Sequence, residues 1–157
     1  MNYELIKNIH IASYLIWLAS FFISIYFFFK IRKATTDGKL GLMRKERLFS
    51  TMGGHLGFLG IFVTGGIMAS LKSGPKFGWF NFADYGWLAW KQVLFFLAMI
   101  IVFAVVMPGS SKLKRLINSG GTTMSEIDAQ WSKTYFFSLL VYTIVWINTL
   151  LGLQKPF

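Results

Sequence analysis

The sequence predicts an all-α integral membrane protein, a four-helix bundle with both termini on the outer, periplasmic side. Three observations carry this. First, 55% of the 157 residues are hydrophobic and 18% are aromatic. They gather into four runs long enough to cross a hydrocarbon core, which takes about 20 residues at 1.5 Å rise. Second, no strand-like alternation competes, and in lipid a helix satisfies its own backbone. Third, the cations are skewed. Eleven fall in the joints after the first and third runs: Lys30, Arg32, Lys33, Lys39, Arg44, Lys45, Arg47, Lys112, Lys114, Arg115 and Lys133. Five fall on the other side: Lys7, Lys72, Lys76, Lys91 and Lys155. The positive-inside rule puts the richer side in the cytoplasm of a cell inner (cytoplasmic) membrane. The joints are short, so residues 1–157 form one transmembrane domain.

The net charge of +10 therefore points to anionic lipid head groups, at roughly 1 kcal/mol per cation near the surface, and nucleic acid is not an expected partner. The chain has no cysteine. That excludes disulfides, thiolate metal sites, iron–sulfur clusters and thioether-linked haem. A metal would need His, Met, carboxylate or backbone ligands.

The first helix is expected over about 7–29. Asn2–Tyr3–Glu4 is not a basic leader and no small-residue cleavage site follows, so the helix is read as retained. Lys7, His10, Tyr14 and Trp17 recur at i, i+3, i+7 and i+10 and share one face. A charged or ionisable side chain there turns toward the bundle or a partner. For His10 the residues leave two readings open, a hydrogen-bonded structural imidazole or a ligand or proton carrier.

The second helix is expected over about 49–71. "TMGGHLGFLGIFVTGGIMAS" carries Gly53 and Gly57 as a GxxxG pair, with Gly60, Gly65, Gly66 and Ala69 beyond. Small residues let helices approach closely, and bare backbone also suits a flat macrocycle. His55 lies about two turns in from the cytoplasmic side, roughly 15–20 Å in depth from His10, so the two are awkward partners for one haem. Met68 lies nearly level with His10, a better depth match for a His–Met pair on a b-type haem, with plain packing as its alternative. Met68 and His55 point to nearly opposite sides of their helix.

The outer joint, 72–91, opens on a Gly74–Pro75 turn and crowds Phe77, Trp79, Phe80, Phe82, Tyr85, Trp87 and Trp90 together. It reads as an interfacial aromatic belt or as a lid or docking surface. The third helix is expected over about 87–107, ended by Pro108. Lys91 reads as a snorkelling anchor, or with Lys7 as a holder of the carboxylates of an amphiphile such as porphyrin propionates. The inner joint breaks at Gly120–Gly121, and "SEIDAQ" leads into the last helix with Thr123 or Ser125 as N-cap. That helix is expected over about 134–153, with Thr143 and Asn148 as interhelical hydrogen bonders. The four spans so drawn contain no acidic residue.

Several short stretches together resemble one family. "IKNIHIASYLIWLAS" is similar to the opening of the HemJ-type protoporphyrinogen IX oxidases, with a lysine, a histidine three residues on and a tryptophan seven after that. "GWLAWK" resembles the start of their third segment, "MRKERLFSTM" their basic run into a methionine, and Lys155–Pro156–Phe157 their ending. The likeness implies a small helical membrane protein that binds b-type haem and oxidises protoporphyrinogen IX. It implies His10 as haem ligand or catalytic imidazole, Trp17 as a ring-packing residue and Lys91 as a carboxylate partner. The chain departs from that pattern in lacking a histidine in "FFLAMIIVFAVVM" and an acid-x-Pro motif at the last helix, in a glycine beside the methionine of the second helix, and in carrying His55. The second expectation, from a different class, is a non-catalytic accessory subunit of a larger membrane complex, electron-transfer or photosynthetic. It would dock on other subunits or further copies of itself through the aromatic loop and the Gly-rich helix.

Overall fold

In the computed structural model, residues 2–71, 78–119 and 121–154 are described. They form five α-helices: α1 (Tyr3–Lys33), α2 (Thr36–Ser70), α3 (Gly86–Ile101), α4 (Met107–Asn118) and α5 (Met124–Gln154). A π-helical turn, Val102–Val106, joins α3 to α4. Four helical stretches are long and apolar enough to cross a membrane: Tyr3–Lys33, Gly38–Ser70, Gly86–Asn118 and Met124–Gln154. The protein is thus an all-helical, multi-pass membrane protein. The chain divides into two compact units, Met1–Gly78 and Trp79–Phe157.

The first unit is a hairpin of α1 and α2. Asn2 caps α1, its side-chain oxygen accepting from the Glu4 backbone N–H at 3.0 Å. Lys30, Arg32 and Lys33 occupy the last turn, where cations complement the exposed carbonyls. Only Ala34 and Thr35, both extended, separate the helices. The basic stretch expected as a connecting joint over about 30–48 is therefore helical on both sides of a two-residue turn. Hydropathy reports the width of the membrane, not the length of the helix, and Ile31 and Met43 bury fully in this polar extension.

The buried line of α1 runs Ile6, Ser13, Trp17, Ser20, Ser24, Ile31, with half-buried His10 and Phe27 filling its gaps. These positions alternate in steps of four and three, a heptad pattern of the kind that seats a left-handed pairing. On α2 the matching line is Met43, Glu46, Ser50, Gly53, Gly57, Gly60, Thr64. The two lines meet at the glycines. A Cβ on Gly57 would lie 2.5 Å from Trp17 Cβ and 2.7 Å from its backbone nitrogen, so only glycine fits. Gly53 and Gly60 meet the side chains of Ser20 and Ser13. The glycine face is thus filled by the protein's own α1.

The second unit pairs α5 with α3 and α4. On α5 the buried residues Ile127, Trp131, Thr134, Ser138, Val141, Val145 and Asn148 repeat the same heptad steps. A capping box starts the helix. Glu126 N–H donates to Thr123 Oγ1 at 3.4 Å, and Thr123 N–H donates to Glu126 Oε2 at 3.1 Å, so Thr123, not Ser125, is the cap.

Pro108 does not end the third helix, contrary to the sequence expectation. It sits in the first turn of α4, where its missing N–H costs least. The π turn upstream makes this possible, with Met107 N–H reaching back to the Val102 carbonyl. α4 then buries Leu113 and Ile117. The aromatic loop folds onto the start of α3. Phe80, at a positive φ of 51°, is pinned by its N–H donating to the Gln92 side chain, and its ring lies 5.7 Å from Phe96. Phe82 stands edge-on to Trp90 at 5.7 Å. The Gly74–Pro75 turn, Phe77, Lys72, Lys76 and the Lys155–Pro156–Phe157 ending lie outside the described residues.

Candidate functional site

Within the first hairpin, His10 projects onto α2. Its Nδ1 lies 2.8 Å from Thr64 Oγ1, and its Cε1 would lie 3.5 Å from a Cβ on Gly65. The ring is half-buried over the Thr64–Gly65 backbone. Thr64 Oγ1 also reaches the Gly60 carbonyl. With its single hydroxyl proton assigned there, the oxygen accepts from the ring, so Nδ1 is the protonated, donating nitrogen. In the neutral imidazole this leaves the lone pair on Nε2, the arrangement by which a neighbouring hydrogen bond sets a histidine's ligand nitrogen.

The other expected residues divide. Trp17, 2% exposed, is the largest side chain in the seam, and Tyr14 stacks on it at 6.3 Å. Both belong with His10. Lys7 turns away to the exposed first turn and pairs with Glu4 at 2.9 Å, which separates it from the stripe expected for it. Met68 is half-buried one turn beyond Thr64, on the same face of α2. His55 lies two residues before Gly57, on the face of α2 away from α1. Nine residues separate it from Thr64, about 13 Å of rise, so His10 and His55 do not converge.

At the opposite end of the seam is a group the sequence reading missed. Glu46, fully buried, accepts from Ser24 Oγ at 2.8 Å and is bridged by both Nε and Nη2 of Arg47. It lies within the helix Gly38–Ser70, in the polar extension upstream of the apolar span that begins at about Phe49. Spacing could have found it: Met43, Glu46, Ser50 and Gly53 continue the glycine heptad upstream.

In the second unit, Lys91 extends over α5. Its Nζ sits 5.8 Å from the Trp87 ring centroid and packs against Gly152, where a Cβ would collide with it. Asn148 Nδ2 donates to the Lys91 carbonyl at 3.1 Å, the interhelical bond expected of it. Thr143 instead donates to Leu139 in its own helix and is exposed, so its expected interhelical role is not observed.

Among the described residues no three His, Cys, Asp or Glu side chains group as a metal-binding cluster. No family model matches the chain, and no curated protein or solved structure matches it either.

Proposed function

We propose that this is a HemJ-like protein of the cell inner membrane that holds a b-type haem or porphyrin through His10 Nε2. We also propose that its four spans assemble as a bundle with both termini periplasmic. The observation that carries the first reading is the Thr64 hydrogen bond, which orients the ring and sets its tautomer. Such outer partners are worth about 10–100-fold in metal affinity. His10 and Met68, a turn further along the same seam, are the residues that would hold the haem iron, with Tyr14 offering aromatic surface and buried Trp17 closing the helix seam behind it. A bound haem would supply one-electron chemistry. The chain's own part is to fix the imidazole, exclude water with the Trp17–Gly57 closure, and keep the site in a low-dielectric surround. Oxidation of protoporphyrinogen IX is the activity that the resemblance attaches to such a site.

The test is a reduced-minus-oxidised absorption spectrum of the purified protein, repeated on His10→Ala. A b-type signal lost in the variant supports the reading, and a colourless, folded preparation sinks it. A signal lost only in His55→Ala moves the ligand to the other histidine. Orientation is tested separately. The chain has no native cysteine, so Asn2→Cys should label from the periplasm and Lys39→Cys from the cytoplasm.

A second reading draws on Trp79, Phe82 and Trp90, each about half exposed. They suit a docking surface of a non-catalytic accessory subunit. The glycine face of α2 contributes little to it, because α1 occupies that face. Co-purification of partner chains with a colourless protein would favour this reading.

A further inference from the structure

The second unit holds a buried polar oxygen without a hydrogen-bond partner about one helical turn from the place where a lysine amine packs. Asn148 is 8% exposed, and its Oδ1 is buried with no hydrogen-bond partner among the described residues. The amide orientation is fixed, because Nδ2 donates to the Lys91 carbonyl; turning it over would set oxygen against oxygen. Among the described residues, no side-chain or backbone oxygen is seen to accept from Lys91 Nζ, which lies 5.8 Å from the Trp87 ring centroid. Nζ packs on Gly152, one helical turn from Asn148 on the same face of α5. A buried unsatisfied acceptor costs about 1–3 kcal/mol, so a native structure needs a reason to keep one.

We infer that Lys91, Asn148 and Gly152 form a binding site for an uncharged hydroxyl group carried by a membrane-soluble molecule. Lys91 Nζ donates to the hydroxyl oxygen, and the hydroxyl donates to Asn148 Oδ1. Other head groups answer only half of the site. A carboxylate or phosphodiester satisfies Lys91 but brings a second acceptor against Asn148. An ammonium satisfies Asn148 but meets the lysine. A hydroxyl both accepts and donates through one atom. Gly152 is what leaves the amine its place, and Trp87 and half-exposed Trp90 put the site at the depth where amphiphile head groups sit. Two classes of molecule bring such a hydroxyl into a bilayer, a quinol and a diacylglycerol. The site does not depend on haem at His10.

The test uses the full chain in phosphatidylcholine nanodiscs. It is titrated with a short-tailed quinol kept reduced, the matching quinone, a diacylglycerol and oleate, with bound copies read by native mass spectrometry. One copy of the quinol or of the diacylglycerol is expected to bind, and which of them does identifies the source. The quinone and oleate should bind at least tenfold more weakly. Lys91→Met, Asn148→Leu and Gly152→Ala should each weaken binding at least tenfold, while His10→Ala and Thr143→Val leave it unchanged. Retention in His10→Ala separates this outcome from failure of the haem reading. If Asn148→Leu does not fold, Gly152→Ala decides, since it displaces Nζ and leaves Asn148 in place. Binding by neither hydroxyl ligand, equal binding of the quinone, or undiminished binding in the folded variants overturns the inference. So does an ordered water bridging Nζ and Oδ1 under saturating probe.

Discussion

The two hairpins share one geometry and fill it differently. In both, the buried positions step by four and three along the helix. The α1–α2 seam is built from glycines and serines around a single tryptophan, with His10–Thr64 at one end and Ser24–Glu46–Arg47 at the other. The α5 seam is mostly Ile, Val and Trp, with Thr134, Ser138 and Asn148 among them. In lipid, apolar side chains gain little by meeting each other, so close backbone approach and hydrogen bonds decide pairing. The first hairpin uses close approach over its central Gly53–Gly60 stretch, and its chemistry-bearing groups sit on either side of that stretch. The second uses approach only locally, at Gly109 against Thr134 and at Gly152 against Lys91.

This contrast can be broken most sharply at Arg47. Its removal leaves Glu46 buried with part of its partnership gone, so Arg47→Ala should destabilise the first unit by about 3–5 kcal/mol. Denaturant titration in micelles reads the loss, and Glu46→Gln, which can still accept from Ser24, should cost less. Gly57→Ala comes next. The added carbon meets backbone of α1, so the helices must part, at about 1–3 kcal/mol. Gly109→Ala in the second unit meets a threonine side chain and an amide instead, and should cost less in the same titration. Thr64→Val keeps the shape and removes the acceptor for His10. If His10 holds haem as proposed, it should weaken that binding by about 10–100-fold with little change in helix content by circular dichroism. At the low end, Thr143→Val touches only an exposed intrahelical bond and should stay within about 0.5 kcal/mol of the parent. A large Thr143 effect, or equal costs at Gly57 and Gly109, would erase the distinction between the seams.

Much of the fold could be read in advance because hydropathy and glycine spacing are local signals. Four runs marked four spans, and the glycines marked a close helix contact. Helical periodicity puts His10 and Trp17 on one face whatever that face packs against, and both lie in the α1 seam. Lys7 departed from it because Glu4, one turn away, offered a partner in water. The long polar extensions of α1 and α2 were missed because charged residues form helices as readily as apolar ones and carry no hydropathy signal. Glu46 was hidden among neighbouring cations, where its burial depends on a seam that only the paired helices define. Asn148 was recognised as a hydrogen bonder, but an orphaned oxygen is a property of three-dimensional surroundings and leaves no mark in sequence.

The π turn before Pro108 has a consequence for chain length. Ala98 and Ile117, both buried in the second unit, stand nineteen positions apart. Five whole turns of regular α-helix take about 18 residues, so in an uninterrupted helix Ile117 would be rotated by about a quarter turn or more from the face that Ala98 presents. The wide turn absorbs the surplus residue and returns Leu113 and Ile117 to the packed side. It is an accommodated single-residue insertion. Deleting Val105 should therefore preserve the face while forcing Pro108 into a regular helix, where the ring clash costs about 3 kcal/mol. The stability of that shortened chain would measure how much strain one extra amino acid dissipates.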